Sequence, residues 1–318
     1  MTTFLTGATG FLGRHLVRVL AERGDSLRAL VREGTDDAFL RTHGVDVVRG
    51  DVLDSDAVRG AAIGCDRVFH LAGLVSHERR DLERLTRSNV EGVRTVLAAV
   101  EPEARVVHVS SVATFGPSRS RTELVDERHV FPPEADRLVY ASTKRMGERL
   151  ALKSAEEGRD VVVANPGFLI GPGDVYRVTT WMVERYLKGT LRVVIDGGLS
   201  FVDARDVAAG LALLAEKGRA GERTILTSRE GNLSLQDFFK RVGEVTGVRR
   251  RVLKVPVAVA HASMSVLRWP AKPGEVVASA HWWFFDPGKA ERELGYQTRP
   301  FADTIRDTAG DYLPALRS

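Results

Sequence analysis

Met1-Thr-Thr-Phe-Leu-Thr-Gly-Ala-Thr-Gly-Phe-Leu-Gly13 opens the chain, and its reading decides the fold. Thr3 to Thr6 is a short apolar, β-prone run that reaches glycine at once. Phe11, Leu12, His15, Leu16, Val19 and Leu20 then recur at helical spacing. This predicts a strand, a tight glycine turn and a helix. Gly7, Gly10 and Gly13 leave side chains out where the backbone turns sharply and where a diphosphate must come close. A helix that begins there offers free N–H groups and the positive end of its dipole to that anion. Glycine triplets also occur in ordinary surface turns. Set between a strand and an amphipathic helix, this one points to a nucleotide.

Outward from that turn, apolar strands and amphipathic helices alternate. Strands are expected at Ser26 to Val31, Val45 to Val48, Arg67 to Ala72, Arg105 to Val109 and Asp160 to Ala164. Helices are expected from the first turn, up to Ala61, over Asp81 to Ala99 and over Leu138 to Glu157. Strands that are apolar throughout, rather than alternating, imply a parallel sheet covered on both faces. Right-handed crossovers make this an α/β, doubly wound parallel Rossmann sheet with ligands at the carboxyl ends of its strands. Thr9, Arg32, Asp51, Ser111 and Asn165 all fall at such ends.

After Pro166 the rhythm changes. A helix is expected over Asp174 to Thr190, and Phe201 to Lys217 with Thr224 to Thr227 reads as a return to the main sheet. Ser234 is placed to cap a helix running to Thr246. The expected division is a sheet domain over 1–170, with 200–230 returning to it. A smaller, discontinuous C-terminal substrate lobe takes 171–199 and 231–318.

Composition bounds the function. The 318 residues hold 46 basic and 42 acidic side chains, a formal charge of +4, with no dense Lys/Arg block, so no nucleic-acid partner is expected. Cys65 is the sole cysteine, which excludes an intrachain disulfide and suits a reducing cytoplasmic setting. The first strand starts at the N-terminus, leaving no room for a signal peptide. The longest apolar stretch, Val252 to Leu267, is interrupted by Lys254, Pro256 and His261, so no membrane span is expected. No metal-ligand pattern stands out.

Tyr140 and Lys144 lie four apart and therefore on one helix face, after the strand end at Ser110-Ser111. Alone, such a pair is more often an amphipathic helix with a partly buried ring. In this chain it stands with Thr6-Gly-Ala-Thr-Gly-Phe-Leu-Gly13, Gly50-Asp51-Val52, His70-Leu-Ala-Gly73, Asn89-Val-Glu-Gly92 and Ser110-Ser-Val-Ala-Thr-Phe-Gly116. Asn165-Pro-Gly167, Gly171-Pro-Gly-Asp174, Phe201-Val-Asp-Ala-Arg-Asp206 and Glu293-Leu-Gly-Tyr296 follow in order. Together these resemble the extended short-chain dehydrogenase/reductase (NAD-dependent epimerase/dehydratase) family over most of the chain, and within it the dihydroflavonol-4-reductase-like branch.

The resemblance implies an NAD(P)-dependent oxidoreductase and assigns roles. Tyr140 would be the general acid, Ser111 would orient the substrate oxygen, with Ser110 as the alternative, and Lys144 would hold the nicotinamide ribose. A Lys ammonium about 5 Å away supplies roughly 3 kcal/mol toward lowering the phenol, at an effective dielectric near 20. Asn89 would support Lys144 through a water, or simply be a buried amide bonded to backbone. Gly7, Thr9, Gly10, Phe11, Leu12 and Gly13 would hold the diphosphate. Asp51 and Val52 would flank the adenine. Pro166, Gly167 and Phe168 would lie along the nicotinamide, and Leu71, Ala72, Gly73 and Ser110 would also bind the cofactor, with Tyr140 and Lys144.

Arg32, at the end of the second strand, suits a 2′-phosphate and hence NADP(H) over NAD(H). Glu33 beside it could instead hold a ribose diol, and Arg32 could be an ordinary surface side chain.

Three functions follow for comparison. A reductase of an apolar or aromatic carbonyl fits Met182 and the aromatics Tyr176, Trp181, Trp269, Trp282, Trp283, Phe284 and Phe285, which outnumber Arg177 and Arg185 in the expected cleft segments. A nucleotide-sugar epimerase or dehydratase needs more charge there, and dehydratases of this family carry acids where this chain has Val112-Ala113. A non-catalytic NAD(P)-sensing protein would lack Tyr140 or Lys144. The Arg-rich loop Pro117 to Asp136 is placed to close over the substrate. Relatives pair through helices ending near Ala99 and Glu157 or remain monomers, so a homodimer stays open.

Overall fold

Phe4 and Leu5 are neighbours on the first strand and fully buried, yet they enter different hydrophobic clusters. Side chains alternate across a strand, so a sheet with cover on both sides must bury both. The computed structural model describes residues 1–177, 179–256, 258–259 and 273–314. It has a seven-stranded parallel sheet built from β1 (Thr2–Thr6), β2 (Ser26–Val31), β3 (Asp46–Arg49), β4 (Arg67–His70), β5 (Arg105–Val109), β6 (Val161–Pro166) and β10 (Arg223–Leu226). Their order is β10-β6-β5-β4-β1-β2-β3. The chain winds outward in one direction from β1 and in the other from β4. Ligands of such sheets bind where that direction reverses, at the carboxyl ends of β1 and β4.

One face is covered by α1 (Phe11–Glu22) and α8 (Ala204–Lys217), through Leu12, Leu16, Leu20, Val207 and Leu211. The other is covered by α3 (Ser55–Ala62), α5 (Gly92–Ala99) and α6 (Val139–Glu156), through Val58, Val93, Val96 and Ala151. The stretch expected as one helix from Asp81 to Ala99 divides. α4 (Leu82–Thr86) leads into a π-helical turn, Arg87–Glu91, before α5. Such turns insert one extra residue and are frequent at functional sites. Here the bulge carries Asn89. A Cβ on Gly147 of α6 would collide with the Asn89 carbonyl, so only glycine allows this approach.

Beyond β6 the chain leaves the main sheet. β7 (Phe168–Ile170) pairs with β9 (Gly198–Asp203), and β9 with β11 (Asn232–Ser234). Within 200–230, therefore, β9 joins this three-stranded sheet, while β10 joins the main one. β8 (Val193–Ile195) pairs with β12 (Leu253–Val255). α7 (Trp181–Leu187), α9 (Leu235–Thr246) and α12 (Phe301–Gly310) enclose Tyr186, Phe201, Phe238, Phe239 and Phe301. Short α2 (Ala38–Thr42), α10 (Pro273–Ser279) and α11 (Gly288–Leu294) are further helices of the chain.

The helix expected over Asp174 to Thr190 is shorter, starting only at Trp181. The buried Asp174 carboxylate accepts hydrogen bonds from the amides of Thr179 and Thr180, which folds the preceding residues into a turn. Ser234 does cap α9, its hydroxyl accepting from the Asp237 amide at 3.0 Å. No residue of the Arg-rich loop lines the cleft between the strand ends. Its Ser118 and Val125 amides donate to the carbonyls of Trp282 and Phe284, and the Asp286 amide donates to the Val125 carbonyl. The 282–286 segment thus satisfies these backbone groups of the loop. Among the described residues no helix is long and apolar enough to cross a membrane.

Candidate active site

The strand ends converge on a cleft of about 590 Å³. Gly7, Gly10, Phe11, Leu12 and Gly13 line one end, and Leu71, Gly73, Ser110, Ser111, Tyr140 and Lys144 the centre. Pro166, Gly167 and Phe168 form the opposite wall. Trp181, Met182, Leu199 and Trp283 lie further out.

The glycine turn has the shape the sequence implied. Gly7 has φ +75, and a Cβ there would lie 2.7 Å from the Ala72 amide nitrogen. A Cβ on Gly13 would run into the Gly7 carbonyl. α1 starts on Gly10 without a side-chain cap, so its first N–H groups remain available at the cleft. Thr9 and Ala72 do not line the cleft. Thr9 gives its carbonyl to Arg14 at 3.1 Å, and the Ala72 amide donates to the Thr6 hydroxyl at 3.2 Å. Arg32, Asp51 and Val52 stand outside the cleft, at the ends of β2 and β3 on the side of β1 away from β4. Arg32 and Glu33 are exposed, and Arg32 forms no ion pair among the described residues. Its neighbour Arg49 is fixed instead, to the Arg32 and Thr35 carbonyls and to Asp37.

At the centre, α6 brings Tyr140 and Lys144 onto one face. Lys144 is buried and its Nζ donates to the Val109 carbonyl at 3.0 Å. Burial lowers its pKa to about 8, with Glu148 opposing that shift. Two further imidazoles lie near it under the site, His70 of β4 and His108 of β5, stacked at 5.5 Å. Burial keeps both neutral, His70 at about 3 and His108 also well below its ordinary value.

Tyr140 and Ser111 line the cleft together. Burial pushes the phenol up, and the nearby Ser111 hydroxyl pulls against it. The downward tuning by Lys144 expected from sequence is not among the influences on the phenol; that ammonium is turned to Val109. Ser110 lines the cleft with a buried hydroxyl that has no protein partner.

Asn89 sits behind the cleft rather than in it. Its Oδ1 accepts from the Leu74 amide at 2.8 Å, and its Nδ2 donates to the Leu74 carbonyl at 3.0 Å and lies 3.3 Å from the Thr143 hydroxyl. It clasps the loop leaving β4.

Some lining residues carry no sequence signal. His77 reaches the cleft from the β4 loop, its ring 5.6 Å from that of Tyr140, opposite Glu275 of α10. Arg177 has φ +50, and its guanidinium is bound by Glu184 at 2.9 and 3.1 Å. Of the expected apolar and aromatic side chains, Trp181, Met182 and Trp283 line the cleft, Phe285 and Phe284 are packed inside, and Tyr176 is exposed. Trp269 lies outside the described residues.

Comparison with known proteins gives four findings. The pattern of the NAD dependent epimerase/dehydratase family matches residues 3–226. A Synechocystis sp. protein with the provisional name dihydroflavonol 4-reductase is 35% identical, over 96% of this chain and 92% of its own. The 4-hydroxy-2-methyl-3-oxo-4-farnesyl-3,4-dihydroquinoline-1-oxide ketoreductase of Stigmatella aurantiaca is 33% identical, over 94% and 92%. Among solved structures, that of gox2253 superposes with a TM-score of 0.86 at 31% identity, covering 99% of both chains.

Proposed function

We propose that this chain, which belongs to the NAD dependent epimerase/dehydratase family, is an NADPH-dependent reductase that converts an apolar or aromatic ketone into an alcohol. At the level of the family it is an NAD(P)-dependent oxidoreductase. The observation that carries the finer reading is the meeting of Ser111, Tyr140 and Lys144 in a largely apolar cleft that begins at the glycine turn. The residues fit a dinucleotide: an uncapped α1, a turn without room for side chains, and an unpartnered Ser110 hydroxyl face the same space.

Gly7, Thr9, Gly10, Phe11, Leu12 and Gly13 would hold the diphosphate, and Arg32, Asp51 and Val52 the adenosine end. Leu71, Ala72, Gly73, Pro166, Gly167 and Phe168 would flank the nicotinamide. When bound, NADPH supplies the hydride. The chain supplies the rest. Ser111 orients the ketone oxygen, and Tyr140, kept protonated by its burial, donates its phenolic proton to that oxygen. Lys144, titrating near 8, is mostly an ammonium at neutral pH and holds the ribose beside Tyr140. Residues 171–199 and 231–318 supply much of the substrate side through Trp181, Met182 and Trp283.

A ketone held by apolar area suits this lining, as burial is worth about 25 cal/mol per Å². The names of the ketoreductase and dihydroflavonol reductase relatives support it. A nucleotide-sugar substrate would need a cation for its diphosphate, and the Arg177 guanidinium is already bound by Glu184. The buried Cys65 supports a reducing, cytoplasmic setting. The test is a turnover and thermal-shift screen with NADPH, setting aryl ketones and β-keto esters against UDP- and dTDP-sugars. Turnover of ketones is expected; stabilisation and turnover by the sugars alone would replace this reading with an epimerase.

A further inference from the structure

We propose that Glu148 is a positioning residue of this site: its buried carboxylate fixes the Ser111 backbone through Asn165 and serves as the counter-ion of Lys144. The inference rests on the reading of Ser111, Tyr140 and Lys144 as the reacting groups. Tyr140, Lys144 and Glu148 follow one another at intervals of four along α6, so they form a single row down one helix face. Glu148 is 2% exposed. Its Oε2 accepts from Asn165 Nδ2 at 2.6 Å and from the Thr114 hydroxyl at 2.9 Å. Asn165 Nδ2 also donates to the Ser111 carbonyl at 3.1 Å. Thr114 belongs to the 3-10 turn Val112–Phe115 that starts on Ser111. The segment holding Ser111 is therefore tied from below to an oxygen that accepts from Asn165 and shares the Thr114 proton with the Ser111 carbonyl, which lies 2.9 Å from that hydroxyl, a place an ionised carboxylate fills best.

The charge has a second addressee. Lys144 is flanked by Tyr140 on its own helix, His70 on β4 and His108 on β5, none of which is an anion near neutral pH. Glu148 is the carboxylate that favours its ammonium. From the far side, Arg223 of β10 approaches Glu148 Oε1 at 3.4 Å while its other nitrogen donates to the Glu127 carbonyl at 2.7 Å. A salt bridge of Glu148 to Arg223 is the structural alternative. It predicts a loss of stability with no change in how Lys144 titrates.

Glu148→Gln is nearly isosteric and removes the charge. A charge removed at roughly 10 Å and an effective dielectric near 20 corresponds to a shift of about one pH unit. The alkaline limb of the turnover profile should move down by that amount, and turnover at pH 8 should drop several-fold. Glu148→Asp should give a limb between those of wild type and the glutamine variant. A second readout needs neither cofactor nor substrate. Lys144 titrates near 8 in the fold, against 10.5 for a free side chain. The unfolded chain binds more protons between those values, so stability rises with pH there. Lowering the folded pKa further extends this rise downward. The stability deficit of Glu148→Gln should thus be largest below about pH 7 and shrink about tenfold in folding constant by pH 8 to 9. A deficit that is the same at every pH, with an unmoved limb, would overturn the proposal in favour of the salt bridge. Should the glutamine variant fail to fold, the aspartate variant decides by the same two curves. If no ketone is turned over at all, the proposed function falls, while the cofactor-free curves still judge Glu148.

Discussion

Tyr140 offers the sharpest test at the scale of a residue. Tyr140→Phe keeps the ring, its contact with His77 and its packing, and removes the proton donor. Turnover should fall by at least about 10²-fold, the lower end of general-acid contributions, with NADPH affinity nearly unchanged. A variant retaining more than roughly a tenth of wild-type turnover would remove Tyr140 from the acid role. Arg32, exposed and without an ion partner among the described residues, should set cofactor choice. A charge-assisted bond to a 2′-phosphate is worth about 1.5–3 kcal/mol, so NADPH should bind roughly 10- to 150-fold more tightly than NADH. Arg32→Ala should erase most of that ratio in a fluorescence titration; equal binding by the wild type would point to Glu33. These residues were legible because their types and spacing are themselves the signal. His77 and Glu275 were not: they meet only because the β4 loop and α10 are folded together across 198 positions of sequence, and no local pattern records that.

Among the elements, the contact between α6 and the π-helical turn has the least tolerance. Gly147→Ala places a methyl group against the Asn89 carbonyl, and overpacking of this kind costs about 1–3 kcal/mol. The expected result is a lower melting temperature together with weaker turnover, since moving Asn89 releases the Leu74 loop from its clasp. A normal melt with normal turnover would show that the turn can slide aside without consequence. The helix around Asn89 was readable from its apolar spacing, as was the capped start of α9 at Ser234. The π turn was not, because one extra residue in a helix leaves its apolar period almost unchanged over so short a span. The shortened α7 was missed for the opposite reason. Asp174 is compatible with a helix start by type, but its carboxylate is used to build a turn.

For the whole molecule, the two imidazoles buried beneath the site set a limit in acid. His70 has a folded pKa of about 3 against an ordinary 6.5, and His108 is displaced in the same direction. Below pH 6.5 the unfolded chain takes up protons that the folded chain refuses, so stability falls by about 1.4 kcal/mol per pH unit for each such group. His108 has no hydrogen-bond partner for either nitrogen, so His108→Phe should leave a folded protein whose acid unfolding midpoint lies lower. A midpoint that stays in place or rises would show that acid stability is set elsewhere. The doubly wound sheet was legible throughout, because strands buried on both faces must be apolar from end to end. The destination of Phe201 was not, since an apolar strand does not state which sheet it joins, and β9 joined the smaller one.

The hydrogen bonds between the Ser118–Val125 loop and the 282–286 segment also have a meaning in time. A ribosome releases the glycine turn first, and the strands of the large sheet are all available once Leu226 has emerged. The loop that joins Ser111 to Tyr140 must then wait about 60 residues more for the backbone groups that complete it. The residues proposed to hold the nucleotide are therefore all synthesised, and their sheet is complete, before Glu275, Ala278, Ser279 and Trp283, the last side chains to join the cleft wall.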